Sequence, residues 1–423
     1  MERQNPIEKQ PRHLLTISAL NNDDLRTKVE NLQKVIKDDA SFINACLKAK
    51  APTPTENHRL AFTASSFAEA APKLQAYLNG QNDSTIHQGV ANKPLPKVAF
   101  IFTGQGSQYV GMGQELYNTQ PLFRETLHVC SDALAGVMQV PLIDVILGKN
   151  EDTSLIDQTL YTQPALFAIE YALAEVFAAW GINPDLVLGH SIGEYVAAAR
   201  AGVFSFADGI KLIAARARLM QSLPPYGKMA AIAVSADKIV DKLEPYRHEI
   251  SLAAINGDEA IVISGGGERV SAVAEHMKQN GAKVIMLTVS HAFHSPLVEP
   301  ILDEFEAVAA SITYATPTIE LVSNVTGELA SSDVCTAHYW RCHVRQAVRF
   351  AQGIRTAYKQ GCRIFVELGP NPVLLGMARP LLTPDAIMLP TLRRRRSDWQ
   401  QILDSIAELF VCGIDYYNAH FAT

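Results

Sequence analysis

The sequence predicts an α/β protein whose main body is a doubly wound parallel sheet with helices on both faces. Two continuous apolar runs, Lys97–Phe102 and Leu186–Leu188, are typical of strands that a parallel sheet buries on both faces. Such strands alternate along the chain with segments of helical periodicity, which is the pattern of this architecture. Residues 227–290 depart from it, because their predicted order of elements is β-α-β-β-α-β.

Residues 1–95 are predicted to form a small α/β unit of their own. A polar stretch at 82–84 and the prolines at 94 and 96 mark its end. The predicted elements are a strand at His13–Ala19, a helix from Asn22 to Ile36, a strand at Arg59–Ala64 and a helix from Ser66 to Gly80. This unit has no cluster of reactive side chains, so we expect a structural or docking module.

The segment 227–290 is predicted to be a ferredoxin-like small subdomain inserted into a large one. Its expected strands are 228–234, 250–255, 260–264 and 283–289, with helices at 235–243 and 268–279. The large subdomain is thereby divided into residues 96–226 and 291–395. Its first part contains a helix for which Thr162 is the expected cap and Gly181 the end. Residues 396–423 form a C-terminal segment, with a helix from Ser397 to Val411.

Composition and charge exclude several classes of function. The 423 residues are 48% hydrophobic and 19% charged, as in ordinary globular proteins, and the net charge of −6 argues against nucleic acid or an anionic membrane surface as a partner. Six scattered cysteines without metal-type spacing predict reduced thiols and a cytoplasmic location. Residues 1–6 lack the apolar stretch of a signal peptide, and no apolar segment is long enough to span a bilayer.

The five residues 189–193, Gly-His-Ser-Ile-Gly, stand between a predicted strand and a predicted helix. This pattern in this context predicts a nucleophile elbow, a sharp turn that exposes the oxygen of Ser191, so we expect an α/β-hydrolase-like large subdomain. Glycine is needed on both sides because a Cβ would clash in the turn. The alternative is an ordinary turn in which the serine caps the helix.

Two further segments could assist such a serine. Gln105 lies between Gly104 and Gly106 after the first strand of the large subdomain, where its side-chain amide and the backbone amide of Ile192 could form a two-donor oxyanion hole. A tight structural turn explains these glycines equally well, whereas a dinucleotide fingerprint is disfavoured because its third glycine is absent. His291 and His294 offer a base suited to neutral pH, and no Glu or Cys partners stand nearby at zinc-ligand spacing.

Arg216 interrupts the apolar face of a predicted helix, next to Leu212 and Met220. An inward charge must be paired, so the residue forms either a buried ion pair within the fold or a bidentate clamp for a substrate carboxylate. Four consecutive arginines, Arg393–Arg396, are predicted to be a solvated face, with phosphate or an acidic partner as the less favoured interpretation.

Taken together, these segments resemble the malonyl-CoA:acyl carrier protein transacylases, and specifically the acyltransferase domains of modular type I polyketide synthases. The resemblance covers most of residues 97–395. The matching segments are 102–108, 162–166, 189–195, 216–221, 291–295 and 323–327, in the family's order. Residues 1–95 resemble the linker that joins a ketosynthase to the acyltransferase, and the tail around 393–413 resembles the segment that wraps back over that linker.

The resemblance implies a dyad in which Ser191 is acylated and His294 is the base. Gln105 and the amide of Ile192 would form the oxyanion hole, and Arg216 would hold the free carboxylate of malonate. A backbone carbonyl in the segment 340–343, assigned to His343, would orient the base. The other implied substrate-binding positions are Gln163, His190, His291 and Phe293.

The implied reaction loads malonyl from malonyl-CoA onto the phosphopantetheine thiol of an acyl carrier protein, by a ping-pong mechanism without a bound cofactor or metal. A ketosynthase is a further expected partner. Phe293 would crowd out the extra methyl of methylmalonate, and Ile192 favours malonyl too, although methylmalonyl or another acyl group is an alternative. An α/β serine hydrolase or thioesterase would need an acid, for which Asp208 and Asp258 are available, and a catalytically silent docking domain is the third alternative.

Overall fold

The protein was analysed as a computed structural model that describes residues 10–49, 53, 55–91 and 93–416. The predictions made for residues 1–6 and for the end of the C-terminal segment, 417–423, lie outside the described residues. Among the helices of the described part, none combines the length and the apolar character that crossing a bilayer requires.

The N-terminal unit is a three-stranded antiparallel sheet in the order β1-β2-β3. Its elements are β1 (His13–Ala19), α1 (Asn22–Val35), α2 (Asp39–Leu47), β2 (His58–Ala64), α3 (Phe67–Leu78) and β3 (Ile86–Val90). The sequence predicted four of these and missed α2 and β3. The signal for α2 was a capping box, in which Asp38 and Ser41 bond reciprocally across the first turn. β3 is a short, half-exposed strand with little apolar alternation, so its pairing with β2 depends on tertiary packing.

The large subdomain begins with the predicted central strand. Its first part consists of β4 (Lys97–Phe102), α4 (Gln114–Thr119), α5 (Pro121–Ala133), α6 (Leu142–Leu147), α7 (Thr159–Ala179), β5 (Leu186–Gly189), α8 (Gly193–Ala201) and α9 (Phe206–Gln221). The prediction that Thr162 caps α7 was wrong, because the helix already starts at Thr159 and the Thr162 hydroxyl donates to the carbonyl of Gln158 inside its first turn. The end at Gly181 was right, with Trp180 as the C-cap.

The small subdomain follows as a four-stranded antiparallel sheet in the order β7-β8-β6-β9. Its elements are β6 (Gly227–Ile232), α10 (Asp237–Leu243), β7 (Ile250–Gly257), β8 (Ala260–Gly266), α11 (Gly267–Gln279) and β9 (Val284–Leu287). This strand order is the one that the β-α-β-β-α-β pattern predicts. β7 continues through Gly257 instead of ending at Ile255, so Asn256 is a strand residue and not part of the hairpin turn.

The chain then completes the large subdomain and ends in a long helix. The remaining elements are α12 (Leu302–Ala309), β10 (Glu320–Val322), α13 (Ala337–Arg345), α14 (Phe350–Lys359), β11 (Cys362–Leu368), α15 (Leu374–Ala378), β12 (Ile387–Pro390) and α16 (Asp398–Val411). Five parallel strands form the sheet in the order β10-β5-β4-β11-β12. The predicted α/β fold class is confirmed, and the loops after β4, β5 and β10 meet at one edge of this sheet.

Helix α16 packs between the large subdomain and the sheet of the N-terminal unit. Val411 of this helix lies close to Gly89 of β3. A Cβ on Gly89 would stand 2.9 Å from the carbonyl oxygen of Val411. At the other end of the helix, the rings of Trp399 and Trp180 are 6.0 Å apart. The four arginines that precede α16 are exposed, as predicted, and Arg396 pairs with Asp404 on the helix.

Candidate active site

The turn from β5 into α8 has the geometry of a nucleophile elbow. Ser191 adopts a left-handed backbone conformation (φ 54°), which a non-glycine residue enters only under constraint. A Cβ on Gly189 would stand 2.1 Å from the amide nitrogen of Glu194, and one on Gly193 would stand 2.2 Å from the carbonyl oxygen of Phe102. Both glycines are therefore required, and the elbow is pressed against the end of β4.

His294 faces the serine across the cleft. Its Nε2 lies 2.8 Å from the Oγ of Ser191, and its backbone is also left-handed (φ 54°). Burial lowers the pKa of His294 well below its usual value, and the positive charge of Arg216 lowers it further. The imidazole is therefore neutral at physiological pH and can accept a proton from Ser191.

A backbone carbonyl orients this histidine, but it comes from Gln346 and not from His343. The Nδ1 of His294 lies 2.8 Å from the Gln346 oxygen, so Nδ1 carries the proton and Nε2 is the acceptor. The prediction was wrong by three residues because α13 ends at Arg345, and the carbonyl just beyond a helix end is available to other donors. His343 lies inside α13 with its ring 3.2 Å from a carboxylate oxygen of Glu194.

Neither acid considered for a catalytic triad reaches the histidine. Asp208 accepts a hydrogen bond from Ser205 at the start of α9, and both carboxylate oxygens of Asp258 accept from the Nη2 of Arg355. Both carboxylates are thereby used in the structure of the fold. The site therefore contains a hydrogen-bonded Ser-His pair whose histidine is oriented by a carbonyl.

Arg216 lies at the bottom of the site on α9, with 1% of its surface exposed. Its Nη2 is 3.2 Å from the Oγ of Ser191, and the ring of Tyr195 lies 5.7 Å from its guanidinium carbon. Nε and Nη1 are buried without a hydrogen-bond partner in the described residues, and no carboxylate there forms an ion pair with this arginine. The buried ion pair considered from the sequence is therefore absent from the described residues. A buried guanidinium without a carboxylate partner is costly.

The two predicted oxyanion-hole donors have no competing partners. The backbone amide of Ile192 is not hydrogen-bonded to any described residue, although the next three amides of the elbow are. The side-chain amide of Gln105 forms no hydrogen bond to the same residues, and its oxygen is buried without a partner among them. A Cβ on Gly104 would stand 2.9 Å from the carbonyl of His190, so the Gln105 turn lies directly against the elbow.

The other predicted substrate-binding positions divide into two groups. Gln163, fully buried on α7, donates to the sulfur of Met220 one turn beyond Arg216, so it lies beside the clamp. His190 bonds through Nε2 to Asn256 at 2.8 Å, which links the elbow to strand β7 of the small subdomain. His291 and Phe293 are buried in the segment returning from the small subdomain, and His291 bonds to the carbonyl of Leu223 after α9.

Asn324 has no predicted role, although it lies in the segment 323–327 that carries part of the family resemblance. Its Oδ1 accepts from the amide of Ser191 at 2.7 Å, and its Nδ2 donates to the carbonyl of Gly189 at 2.7 Å. Its own amide donates to the buried carboxylate of Glu194, which also accepts from the hydroxyl of Tyr339. These bonds hold the strained elbow in place, and a lone Asn-x-Thr-Gly motif gives no sign of that task.

Comparison with known proteins agrees with this geometry. The sequence profile of the family described as "Acyl transferase domain" matches residues 99–416. The chain belongs to this family. It is an acyltransferase, and its relatives are parts of polyketide synthases.

Among these relatives, a mycoketide-CoA synthase of Mycobacterium tuberculosis is 43% identical over 320 residues, which are 75% of this chain and 8% of that protein. A phenolphthiocerol synthesis polyketide synthase type I, Pks15/1, of Mycobacterium marinum is 40% identical over 84% of this chain and 17% of its own length. The chain thus spans less than a fifth of either relative. The crystal structure of the acyltransferase domain from the second module of the salinomycin polyketide synthase is 36% identical, with a TM-score of 0.81, over 99% of this chain and 96% of that one.

Proposed function

We propose that this acyltransferase loads malonyl from malonyl-CoA onto the phosphopantetheine thiol of an acyl carrier protein, through a malonyl-Ser191 intermediate. The observation that carries the proposal is the buried guanidinium of Arg216, which lies 3.2 Å from the serine oxygen and has no carboxylate partner among the described residues. A substrate carboxylate would supply the missing charge in bidentate geometry.

In the first half-reaction, Ser191 attacks the thioester carbonyl while His294 accepts its proton on Nε2. The carbonyl of Gln346 stabilises the imidazolium that forms, because it accepts from Nδ1. The amides of Ile192 and Gln105 donate to the tetrahedral oxyanion. When the carbon–sulfur bond breaks, His294 returns the proton to the sulfur of the departing coenzyme A, and malonyl remains on Ser191.

The second half-reaction runs the same steps in reverse with a different thiol. His294 takes the proton of the phosphopantetheine thiol, the sulfur attacks the acyl-serine carbonyl, and the proton then returns to Ser191. Arg216 fixes the acyl group throughout, so the carbonyl stays in the oxyanion hole between the two steps. The His294 tautomer required is the one that the Gln346 contact favours.

The side chains at the acyl group favour malonyl over methylmalonyl. Phe293 is buried in the segment that leads into His294, and Ile192 is buried behind the nucleophile. A methyl group on C2 of the acyl group would compete with these side chains for space. The steric strain would then exceed the free energy gained by burying the methyl group. The N-terminal unit, which packs on α16 away from the site, is proposed as the connection to a ketosynthase.

Intact-mass measurement after incubation with malonyl-CoA tests the proposal. We expect a malonyl adduct that persists until a phosphopantetheinylated carrier protein is added, and no adduct on the Ser191→Ala variant. Equal amounts of malonyl- and methylmalonyl-CoA in competition should give mainly the malonyl adduct. Rapid hydrolysis without acceptor would identify a thioesterase instead, and unimpaired loading by Ser191→Ala would exclude the mechanism.

A further inference from the structure

Glu170 is a fully buried carboxyl that the transfer reaction does not use. It lies on α7, seven residues after Gln163, and hydrogen-bonds to neither Ser191 nor His294. One of its oxygens accepts a hydrogen bond from the hydroxyl of Thr103, and the other has no partner within the described part of the chain. A carboxyl buried in this way is expensive, so its single hydrogen bond calls for an explanation.

Thr103 is the first residue of the turn that carries Gln105. The hydroxyl of Ser107, at the other end of this turn, lies 3.2 Å from the Thr103 hydroxyl and 3.1 Å from the carbonyl of Gly104. The two ends of the turn are therefore joined through the Thr103 hydroxyl, which in turn donates to the carboxyl of Glu170. Gln105, between them, makes no hydrogen bond of its own to the described residues that would fix its position.

The surroundings of the turn leave the Thr103 side chain little freedom. A Cβ on Gly369, after β11, would stand 2.5 Å from the methyl carbon of Thr103. A Cβ on Gly193 would stand 2.6 Å from the carbonyl oxygen of Thr103. The backbone at Thr103 is thus wedged between the elbow and the next strand. A rotation of the Thr103 side chain would shift the peptide at Gly104. The side-chain amide of Gln105 would then move relative to Ser191.

Burial raises the pKa of Glu170 well above its usual range, and the neighbouring carboxylate of Glu367 raises it further. The raised pKa favours the neutral form of the carboxyl, which reduces the cost of burying it without a cation. A neutral carboxyl still accepts the Thr103 hydrogen bond, and so would the amide of a glutamine.

We propose that Glu170 is a positioning residue for the acyl transfer: through Thr103 it holds the turn that presents the Gln105 amide to the oxyanion. The inference rests on the proposed function of Gln105 as an oxyanion donor. Helix α7 then contributes two residues to the site. Gln163 lies beside Arg216, and Glu170 supports the turn that carries Gln105.

A double-mutant cycle on the acylation of Ser191 tests this role. We expect Thr103→Val and Glu170→Ala each to lower the rate constant of acylation about 10-fold with KM changed by less than about twofold, because the displaced donor acts mainly on the transition state. Thr103→Ser and Glu170→Gln, which keep the hydrogen bond, should restore the rate. In a Gln105→Ala background, Thr103→Val and Glu170→Ala should have no further effect, because their influence passes through the missing amide.

A matched control is Thr119→Val, which removes a buried hydroxyl bonded to the indole of Trp399 far from the elbow. This variant should lower the unfolding midpoint without changing the acylation rate. Multiplicative losses in the Gln105→Ala background, or a Glu170→Gln variant as slow as Glu170→Ala, would overturn the positioning role. If Gln105→Ala itself acylates normally, both the oxyanion role of Gln105 and this inference fail, whereas a malonyl adduct on Ser191 would still support the transfer reaction.

Discussion

Two buried arginines in different regions of the molecule have opposite environments. Arg59, 6% exposed on β2, donates to the carboxylate of Asp415 at 2.7 Å and to the carbonyl of Phe410 at 2.8 Å, and its guanidinium lies over the Phe410 ring. Arg216, 1% exposed on α9, meets a serine hydroxyl and the face of a tyrosine but no carboxylate in the described chain.

The contrast separates an arginine that the fold pairs with a carboxylate from one that it leaves without a carboxylate among the described residues. The partners of Arg59 come from α16 and the residues after it, so the pair joins the N-terminal unit to the end of the large subdomain. The described residues give Arg216 a serine hydroxyl and a tyrosine ring but no negative charge, and its Nε and Nη1 have no hydrogen-bond partner among them. This environment is the one that the proposed binding of a substrate carboxylate requires.

The largest expected effect comes from removing the unpaired arginine. Arg216→Ala should lower kcat/KM for malonyl transfer by about 100-fold or more, because a buried charge-assisted pair with the substrate carboxylate is lost, while transfer of an uncharged acetyl group is largely retained. Steady-state transfer from malonyl-CoA and acetyl-CoA to a carrier protein measures both. Arg218→Ala, two residues along the same helix and paired at the surface with Glu304, is the matched control and should leave both rates unchanged.

The next largest effect is expected on stability and not on activity. Arg59→Met should reduce the free energy of unfolding by about 2 kcal/mol, since a buried charge pair is broken but Asp415 is half exposed and regains water. Malonyl transfer should be unaffected. Arg216→Met should leave the unfolding midpoint unchanged or raise it, because an unpaired buried charge is removed. Thermal unfolding of the two variants side by side checks the comparison, and equal destabilisation would contradict it.

The smallest effect concerns pH. Because burial lowers the pKa of His294 well below 6.5, the acylation rate should stay constant as the pH falls through 6.5 and decline only at lower pH. The folded state disfavours the protonated forms of His294, His190 and His291, whereas the unfolded chain takes up protons near pH 6.5. Stability conferred by these groups is therefore present above pH 6.5 and is lost as the pH falls below it. An acid limb of the rate profile centred at pH 6.5 or higher would show that the base is solvated.

Local sequence was sufficient to predict the serine and the histidine that the structure brings together. Ser191 and His294 stand in short motifs whose glycine spacing or histidine content reflects their chemistry, and the structure brings their side chains within 2.8 Å. The histidine-orienting carbonyl was misplaced because every residue has a carbonyl, so no side-chain identity marks the one at Gln346. The role of Asn324 could not be predicted from the sequence either, because its partners are backbone groups of a turn distant in sequence. Its side chain accepts from the amide of Ser191 and donates to the carbonyl of Gly189.

By itself, the sequence determined the α/β class, the order of the small-subdomain elements and the elbow with its exposed serine, because these depend on patterns within a few dozen residues. Tertiary structure alone decided that Arg216 has no carboxylate partner, that Gln346 orients the base and that Glu170 reaches the oxyanion turn. Each of these depends on which groups from separate parts of the chain share a buried space. Whether a buried charge is paired is a property of that space and not of the residues adjacent in sequence.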